Sequence, residues 1–253
     1  MQHHLKTPDQ IQAMRDGGQI LAQILNELKH HVRAGQTGID IDHWVRKKIT
    51  DYGATATYLT SGIGFPAAIC VSVNEELVHS IPKDNLFEPG DKVSFDLTIT
   101  YHGMCVDSAF TMLIDEEPKS ALKHLLAATK NSLYDGIATV RAGSTTGNIG
   151  AAVEKTLDRA KLGIIRDYVG HGIGTTMHMP PDIPNFGRPN TGVTLQAGDT
   201  ICIEPMATLG KEKTHILEDG WTVAMADRAI CAHFEHTVLV TDTSYEILTE
   251  LKP

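Results

Sequence analysis

The chain has 253 residues, 42% of them hydrophobic and 21% charged, with a formal charge of −9. That length and balance suit a soluble globular protein with a sizeable core, and the acidic surplus argues against nucleic-acid or acidic-membrane partners. Cys70, Cys105, Cys202 and Cys231 form no CxxC pair, which argues against a zinc ribbon and makes reduced cytoplasmic thiols the expectation. The opening MQHHLKTPDQ has no apolar signal-peptide core, and no stretch reaches the length of an apolar membrane span.

Thr7-Pro8 reads as a helix start, with Thr as N-cap and Pro at the first helical position. Ile11, Met14, Leu21, Ile24, Leu25 and Leu28 give that helix one apolar face, and it ends near Val32, before Ala34-Gly35. A second helix runs from about Ile39 to Tyr52 and stops at Gly53. Residues 55–63 carry no clear pattern. Strands follow at about 67–73 and 76–79, joined by Asn74-Glu75. The stretch Gly90 to Asp107, GDKVSFDLTITYHGMCVD, opens a β-hairpin that extends to about Ile114. Helices are expected from about Pro118 to Ala138 and from about Thr145 to Leu162, the latter capped by Ser144. Beyond Gly163 the pattern turns to strand and loop, with strands near 164–169, 200–207, 221–225, 230–233 and 235–240.

Two acids, Asp96 and Asp107, sit in the hairpin where apolar residues are expected. A turn centred on Tyr101-His102 sets them directly opposite. One centred on His102-Gly103 makes them diagonal neighbours on one face. Two carboxylates that face each other in a core repel, so something positive belongs between them.

The helix–helix–strand order occurs twice. Val32-Arg33-Ala34-Gly35 recurs as Val140-Arg141-Ala142-Gly143, an offset of 108 residues. At the same offset Gly90-Asp91 falls on Gly198-Asp199, and Asp96 falls on Glu204. Three matches in one register, one of them acid on acid, point to two related halves at about 7–114 and 117–248. No Gly-, Pro- or Ser-rich linker separates them, so residues 1–253 are expected to form a single domain.

The second half adds further candidates. His171 lies among glycines in GHGIG, His178 precedes Met179 and a Pro pair, and Glu235 interrupts an apolar strand. Taken singly, His171 reads as a loop residue, Glu235 as an edge-strand residue facing water, and His79 as a structural histidine at a strand end. Taken together, Asp96, Asp107, Glu204 and Glu235 are four strand-borne carboxylates beside one imidazole, His171. Converging in a core they require cations. Two divalent metals would balance four carboxylates and activate a bridging hydroxide, the arrangement of a two-metal hydrolase. Oxygen ligands with one imidazole suit Mn, Fe, Co or Zn.

VSVNEELVHSIP, the Asp96/Asp107 spacing, GHGIG, IEPM, DGWT and FEHTVLVT resemble the type I methionine aminopeptidases, over essentially the whole chain. The resemblance implies an α+β pita-bread fold, two pseudo-symmetric helix–helix–β halves around a central curved antiparallel sheet. It implies that Asp96 chelates one metal, that Asp107 and Glu235 bridge both, and that His171 and Glu204 complete the other. His79 and His178 would contact substrate and steady the transition state, and Glu204 would also act as general base and acid. Phe65, Cys70, Met177 and Trp221 would line a pocket for an unbranched thioether, since sulfur packs well against aromatic rings.

The implied reaction removes the initiator methionine from nascent chains whose second residue is small. The implied setting is a cytoplasmic, ribosome-associated monomer acting on nascent N-termini, without nucleic-acid or membrane partners. The stretch from Glu204 to Glu235 is too short for the helical insertion of the type II enzymes, and the short N-terminus leaves no room for a zinc-binding extension. Four positions depart from the family pattern: Val106 for a common Gly, Met179 for an acid, Ile63 for a His and Gly62 for a Tyr. Other readings are an X-Pro peptidase with the same metal core and a binding module that has lost catalysis. A metal-free hydrolase using Asp96 and Asp107 leaves Glu204 and Glu235 without a role.

Overall fold

Helix α1 (Pro8–His31) begins at the expected Thr7, in a reciprocal capping box. Thr7 Oγ1 accepts the Gln10 N–H, and the Gln10 side chain accepts the Thr7 N–H. The computed structural model describes residues 5–117 and 120–252. Helix α2 (Gly38–Asp51) opens with a second capping box, Thr37 with Asp40, one residue before the start its apolar pattern suggests. The unpatterned stretch holds a short strand β1 (Thr55–Ala56) and one helical turn, α3 (Thr57–Thr60).

Strand β2 (Cys70–Val73) is shorter than the expected 67–73, and Ala68 shows why: its N–H is claimed by Asp42 Oδ1 at 2.6 Å. Strand β3 (Glu76–Val78) follows, then β4 (Lys92–Tyr101) and β5 (Met104–Leu113). Tyr101 pairs with Met104, so the hairpin turn is His102-Gly103. Both turn residues have positive φ, 47° and 77°, as a type I′ turn requires.

Helix α4 (Ser120–Ile137) comes next; its expected start at Pro118 lies outside the described residues. Helix α5 (Thr146–Arg159) is capped by Thr145 rather than Ser144, and without a side-chain capping bond. Ser144 Oγ instead accepts from Asn148 Nδ2 at 3.2 Å. The helix stops short of Leu162 because the chain turns left-handed at Lys161, φ 57°. The expected strand 164–169 shrinks to β6 (Gly163–Ile164), and β7 (Gly170–Gly172) and β8 (Met179–Ile183) appear in the Gly- and Pro-rich segment.

The single strand expected over 200–207 is two, β9 (Thr200–Ile203) and β10 (Met206–Thr208). They part at Glu204-Pro205, where proline has no N–H for the ladder. Five short strands complete the chain: β11 (Thr214–Ile216), β12 (Val223–Met225), β13 (Cys231–His233), β14 (Glu235–Val240) and β15 (Tyr245–Ile247).

The main antiparallel sheet runs β1-β4-β5-β14-β9-β7-β8, with β2 beside β4 and β15 beside β14. Two three-stranded sheets, β13-β10-β6 and β11-β12-β3, flank it. Strand β14 is therefore interior, and Glu235 does not face water as an edge residue would. Strand β4 is buried on both faces with opposite chemistry. Val93, Phe95, Leu97 and Ile99 join α1 in the main core, while Lys92, Ser94, Asp96 and Thr98 form a buried polar row. Each apolar side chain so buried contributes roughly 1.5–3 kcal/mol, which fixes the register of β4 and with it the direction of Asp96.

Close packing of α1 on the chain end makes one stability prediction. A Cβ on Gly18 would meet the Leu248 carbonyl oxygen at 2.3 Å. Gly18→Ala is expected to cost about 1–3 kcal/mol, read as a lower urea midpoint with unchanged slope. An unmoved midpoint would contradict that contact. Among the described residues no helix is long and apolar enough to cross a membrane.

Candidate metal centre

Sheet register assembles the site. Asp96 on β4 pairs with Ala109 on β5, and Ala109 pairs with Glu235 on β14. Thr98, not Asp96, pairs with Asp107, so the two aspartates are diagonal neighbours on one face. Strand β9 lies beside β14 and ends at Ile203, which delivers Glu204, and β7 beyond it delivers His171. Four strands thus carry one side chain each, and the fifth side chain, Glu204, follows directly on β9. Ligand atoms of Asp96, Asp107 and Glu235 all lie within 4.8 Å of one another. His171 Nε2 is 3.5 Å from Glu204 Oε1.

The electrostatics of this cluster are severe. Burial pushes the Asp96, Glu204 and Glu235 carboxyls well above the usual range, and repulsion from the neighbouring carboxylates adds to it. Burial also raises Asp107. Two residues outside the expected set answer part of the charge. Tyr58 Oη donates to Asp96 Oδ1 at 3.0 Å, and Thr98 Oγ1 donates to Asp107 Oδ2 at 2.7 Å. Met177 Sδ also lies 3.3 Å from Thr98 Oγ1, but one hydroxyl carries one proton and the carboxylate is the stronger acceptor. Among the described residues, Asp107 Oδ1 and Glu235 Oε1 accept no hydrogen bond, although both are buried.

His171 is prepared as a ligand. Its Nδ1 lies 2.9 Å from the Gly172 carbonyl oxygen, which can only accept, so Nδ1 carries the proton and Nε2 presents its lone pair. Burial lowers its pKa to about 3, so the ring is neutral and the approach to Glu204 is not an ion pair. His233 Nε2, 3.7 Å from Glu204 Oε2, is likewise held neutral, its pKa lowered to about 3 chiefly by burial. Cys202 also lies within 4.8 Å of His171 and Glu235, but burial and the surrounding acids keep it a thiol. Glu204 is therefore the better donor beside His171.

All eleven residues singled out in the sequence line one cavity of about 230 Å³: the four acids, His171, His79, His178, Phe65, Cys70, Met177 and Trp221. Tyr58 and Ile63 complete its wall. Phe65 meets Trp221 edge-on, with centroids 5.3 Å apart, and Cys70 and Met177 are buried beside them. A larger cavity of about 490 Å³ adjoins it, sharing His79, His171, His178 and Glu204 and continuing past Tyr168, Met179 and Pro180.

A model of metallopeptidase family M24 matches residues 12–242. The chain belongs to metallopeptidase family M24. A methionine aminopeptidase of Mycoplasma capricolum subsp. capricolum is 41% identical over 97% of this chain and 98% of that protein. The crystal structure of a methionine aminopeptidase from Thermotoga maritima superposes with a TM-score of 0.95 at 37% identity, covering 98% of this chain and all of the other. A prolidase from Pyrococcus furiosus, 18% identical, shares the fold, with a TM-score of 0.76 over 98% of this chain and 66% of its own. The architecture is the pita-bread fold.

An M24 metallopeptidase takes a divalent metal cofactor, and the residues here fit one. Among the described residues two buried carboxylate oxygens have no other partner, four carboxyls are raised by burial, three of them further by neighbouring carboxylates, and a neutral imidazole points its lone pair inward. Hard oxygen donors with one imidazole suit a divalent first-row ion.

The four departures from the family pattern separate by location. Val106 is wholly buried and faces α1, where a Cβ on Gly17 would lie 3.5 Å from its Cγ2. Alternation along β5 thus turns Val106 away from the cavity while Asp107 faces it. Ile63, after Gly62 (φ 76°), lines the smaller cavity, and Met179 lines the larger one. Only these last reach the space a substrate would occupy.

Proposed function

We propose that the protein is a methionyl aminopeptidase that removes the initiator methionine from nascent chains with a small second residue. The observation that carries this is the single cavity holding both the acid–imidazole cluster and the sulfur–aromatic pocket of Phe65, Cys70, Met177 and Trp221. An unbranched thioether fits between aromatic edges and sulfur. The names of its 34–41% identical relatives agree with this reading.

In this reading Asp96, Asp107, His171, Glu204 and Glu235 would hold two divalent ions, Asp107 and Glu235 serving as ligands shared by the two. Their unpartnered oxygens support that placement. Manganese, iron, cobalt and zinc all suit the donors. Bound there, the ions supply Lewis acidity, polarising a carbonyl and acidifying water. The chain's own groups do the rest. The pocket holds the methionine side chain, and the peptide beyond the scissile bond leaves through the larger cavity. His79 and His178 sit in the wall common to both cavities, where the reacting amide lies, and donate to its developing negative charge. Glu204, in the same wall, takes a proton from the attacking water and returns it to the leaving amine.

We also read the chain as one catalytic domain of two related halves, about 7–114 and 117–248. In support, the isolated bridge Thr37–Leu86 recurs 108 residues on as Thr145–Thr194, at the starts of α2 and α5. The setting we infer is a cytoplasmic monomer meeting its substrates at the ribosome, its charge of −9 arguing against direct nucleic-acid contact.

The deciding experiment is hydrolysis of Met-Ala-Ser and Ala-Pro peptides by protein loaded with each metal in turn. Release of methionine from the first is the expected result; cleavage of Ala-Pro alone would replace this reading with an X-Pro peptidase.

A further inference from the structure

Lys92, the first residue of β4, is 1% exposed, and among the described residues it has no ion-pair partner. Its Nζ donates to the carbonyls of Ser72 at 3.2 Å and Glu76 at 2.9 Å. Those two carbonyls straddle the Asn74-Glu75 turn that joins β2 to β3, strands of different sheets. The Cys231 thiol on β13 donates to the same Glu76 carbonyl at 3.3 Å. The backbone makes the junction tighter: Asn74 N–H donates to the Lys92 carbonyl at 2.7 Å, and Lys92 N–H donates to Asn74 Oδ1 at 3.1 Å. An apolar side chain of the same length would fill this space without the cost of burying an amine. What Lys92 alone supplies is a pair of donors spanning the turn.

The far end of β3 leads into His79. After Val78 the chain enters the left-handed region at His79, φ 56°, and Val71 N–H donates to the Ser80 carbonyl at 3.1 Å. Among the described residues no hydrogen bond fixes the His79 ring; it meets Tyr168 edge-on with centroids 6.0 Å apart. The position of the imidazole is therefore inherited from its backbone, which is held by β12, where Val223 pairs with Val78, and at the turn by Lys92.

We propose that Lys92 is a positioning residue for His79, holding the β2–β3 turn, and through it β3, in the place that presents the imidazole to the shared wall of the two cavities. The proposal rests on the aminopeptidase reading only for what His79 does to substrate. Lys92 lies on the same β4 row as Asp96, so one strand carries Asp96 and, through the β2–β3 turn, bears on the histidine that lines the same cavity.

The test is Lys92→Met, which keeps length and removes the donors. With Met-Ala-Ser and metal-loaded enzyme, kcat is expected to fall about tenfold to a hundredfold, the range that a displaced catalytic group produces, with KM little changed. In metal-free protein the imidazole NMR resonance of His79 is expected to move. On a His79→Ala background the same substitution is expected to change kcat by no more than about twofold, because its route of action is gone. An unmoved His79 resonance, or an equal loss of kcat on both backgrounds, would overturn the proposal. Should Lys92→Met fail to fold, Lys92→Ala with added propylammonium replaces it. Recovery of turnover and of the His79 resonance with propylammonium but not propanol supports the positioning role; recovery with both equally, or with neither, overturns it. If the wild-type protein does not release methionine, the functional reading fails, and the His79 resonance still judges Lys92.

Discussion

Asp107→Asn is expected to lower kcat on Met-Ala-Ser on the order of a thousandfold and to weaken divalent-ion binding. The magnitude follows from several kcal/mol of Lewis-acid stabilisation at about 1.4 kcal/mol per tenfold in rate. The substitution keeps the shape of the side chain, and an asparagine carbonyl can still accept from Thr98 Oγ1. What it removes is the charge on Oδ1, the oxygen that has no other partner in the described residues. Without metal, the same change relieves repulsion among four buried acids, since Asp107 raises the carboxyls of Asp96, Glu204 and Glu235. The metal-free variant should therefore melt no lower than the metal-free parent. Calorimetric metal titration with thermal melts separates the two effects. Near-normal turnover, or a melt lowered without metal, would count against a bridging role for Asp107.

The site was more legible in the sequence than the fold around it, and the reason is geometric. Asp96, Asp107 and Glu235 stand out because an acid within an apolar strand is costly unless it is used, and the 108-residue offset ties Asp96 to Glu204. Burial of the acid row beneath one face of the sheet follows from the apolar row on the other, which α1 covers. Sequence spacing could not choose between two hairpin turns; the positive φ at His102 and Gly103 makes the choice, and one residue of slip would have changed the pairing of both aspartates. Thr98 was within reach of the same alternation, two residues from Asp96 on its own face, but a threonine in a strand looks ordinary. Tyr58 lies in the unpatterned 55–63 stretch, and only the contact between α3 and β4 brings its hydroxyl to Asp96. The strands near 170–183 are short and rich in Gly and Pro, so they carry no alternation; β9 holds β7, and β7 holds β8.

Removing the metal should give the protein a pH dependence of stability that the loaded form lacks. The four acids have folded-state pKa values raised by burial, and in Asp96, Glu204 and Glu235 repulsion from neighbouring carboxylates adds to it. A raised carboxyl binds its proton more tightly in the folded than in the unfolded chain. Its stabilising contribution is complete below about pH 4 and is lost as pH rises through the folded-state value. Buried histidines act in the opposite sense and in a lower window. His171, His233 and His236, lowered to about 3, and His79, lowered to about 4, bind protons mainly when unfolded. They destabilise the fold as pH falls toward and below about 6.5, and their slope dies away about one pH unit above it. Above about pH 7.5 the acids alone set the slope, so chelated protein should melt progressively lower as pH rises toward their folded-state values. Loaded protein carries the same acids as ligands, already deprotonated, and should hold its melting temperature over that range. Metal binding must then release the protons the acids held. If two are displaced, the apparent affinity rises about a hundredfold per pH unit, and calorimetry in buffers of different ionisation enthalpy counts them directly. Parallel melting curves for chelated and loaded protein, or binding without proton release, would mean that the four carboxyls are ionised without a metal and that the charge at the centre is answered some other way.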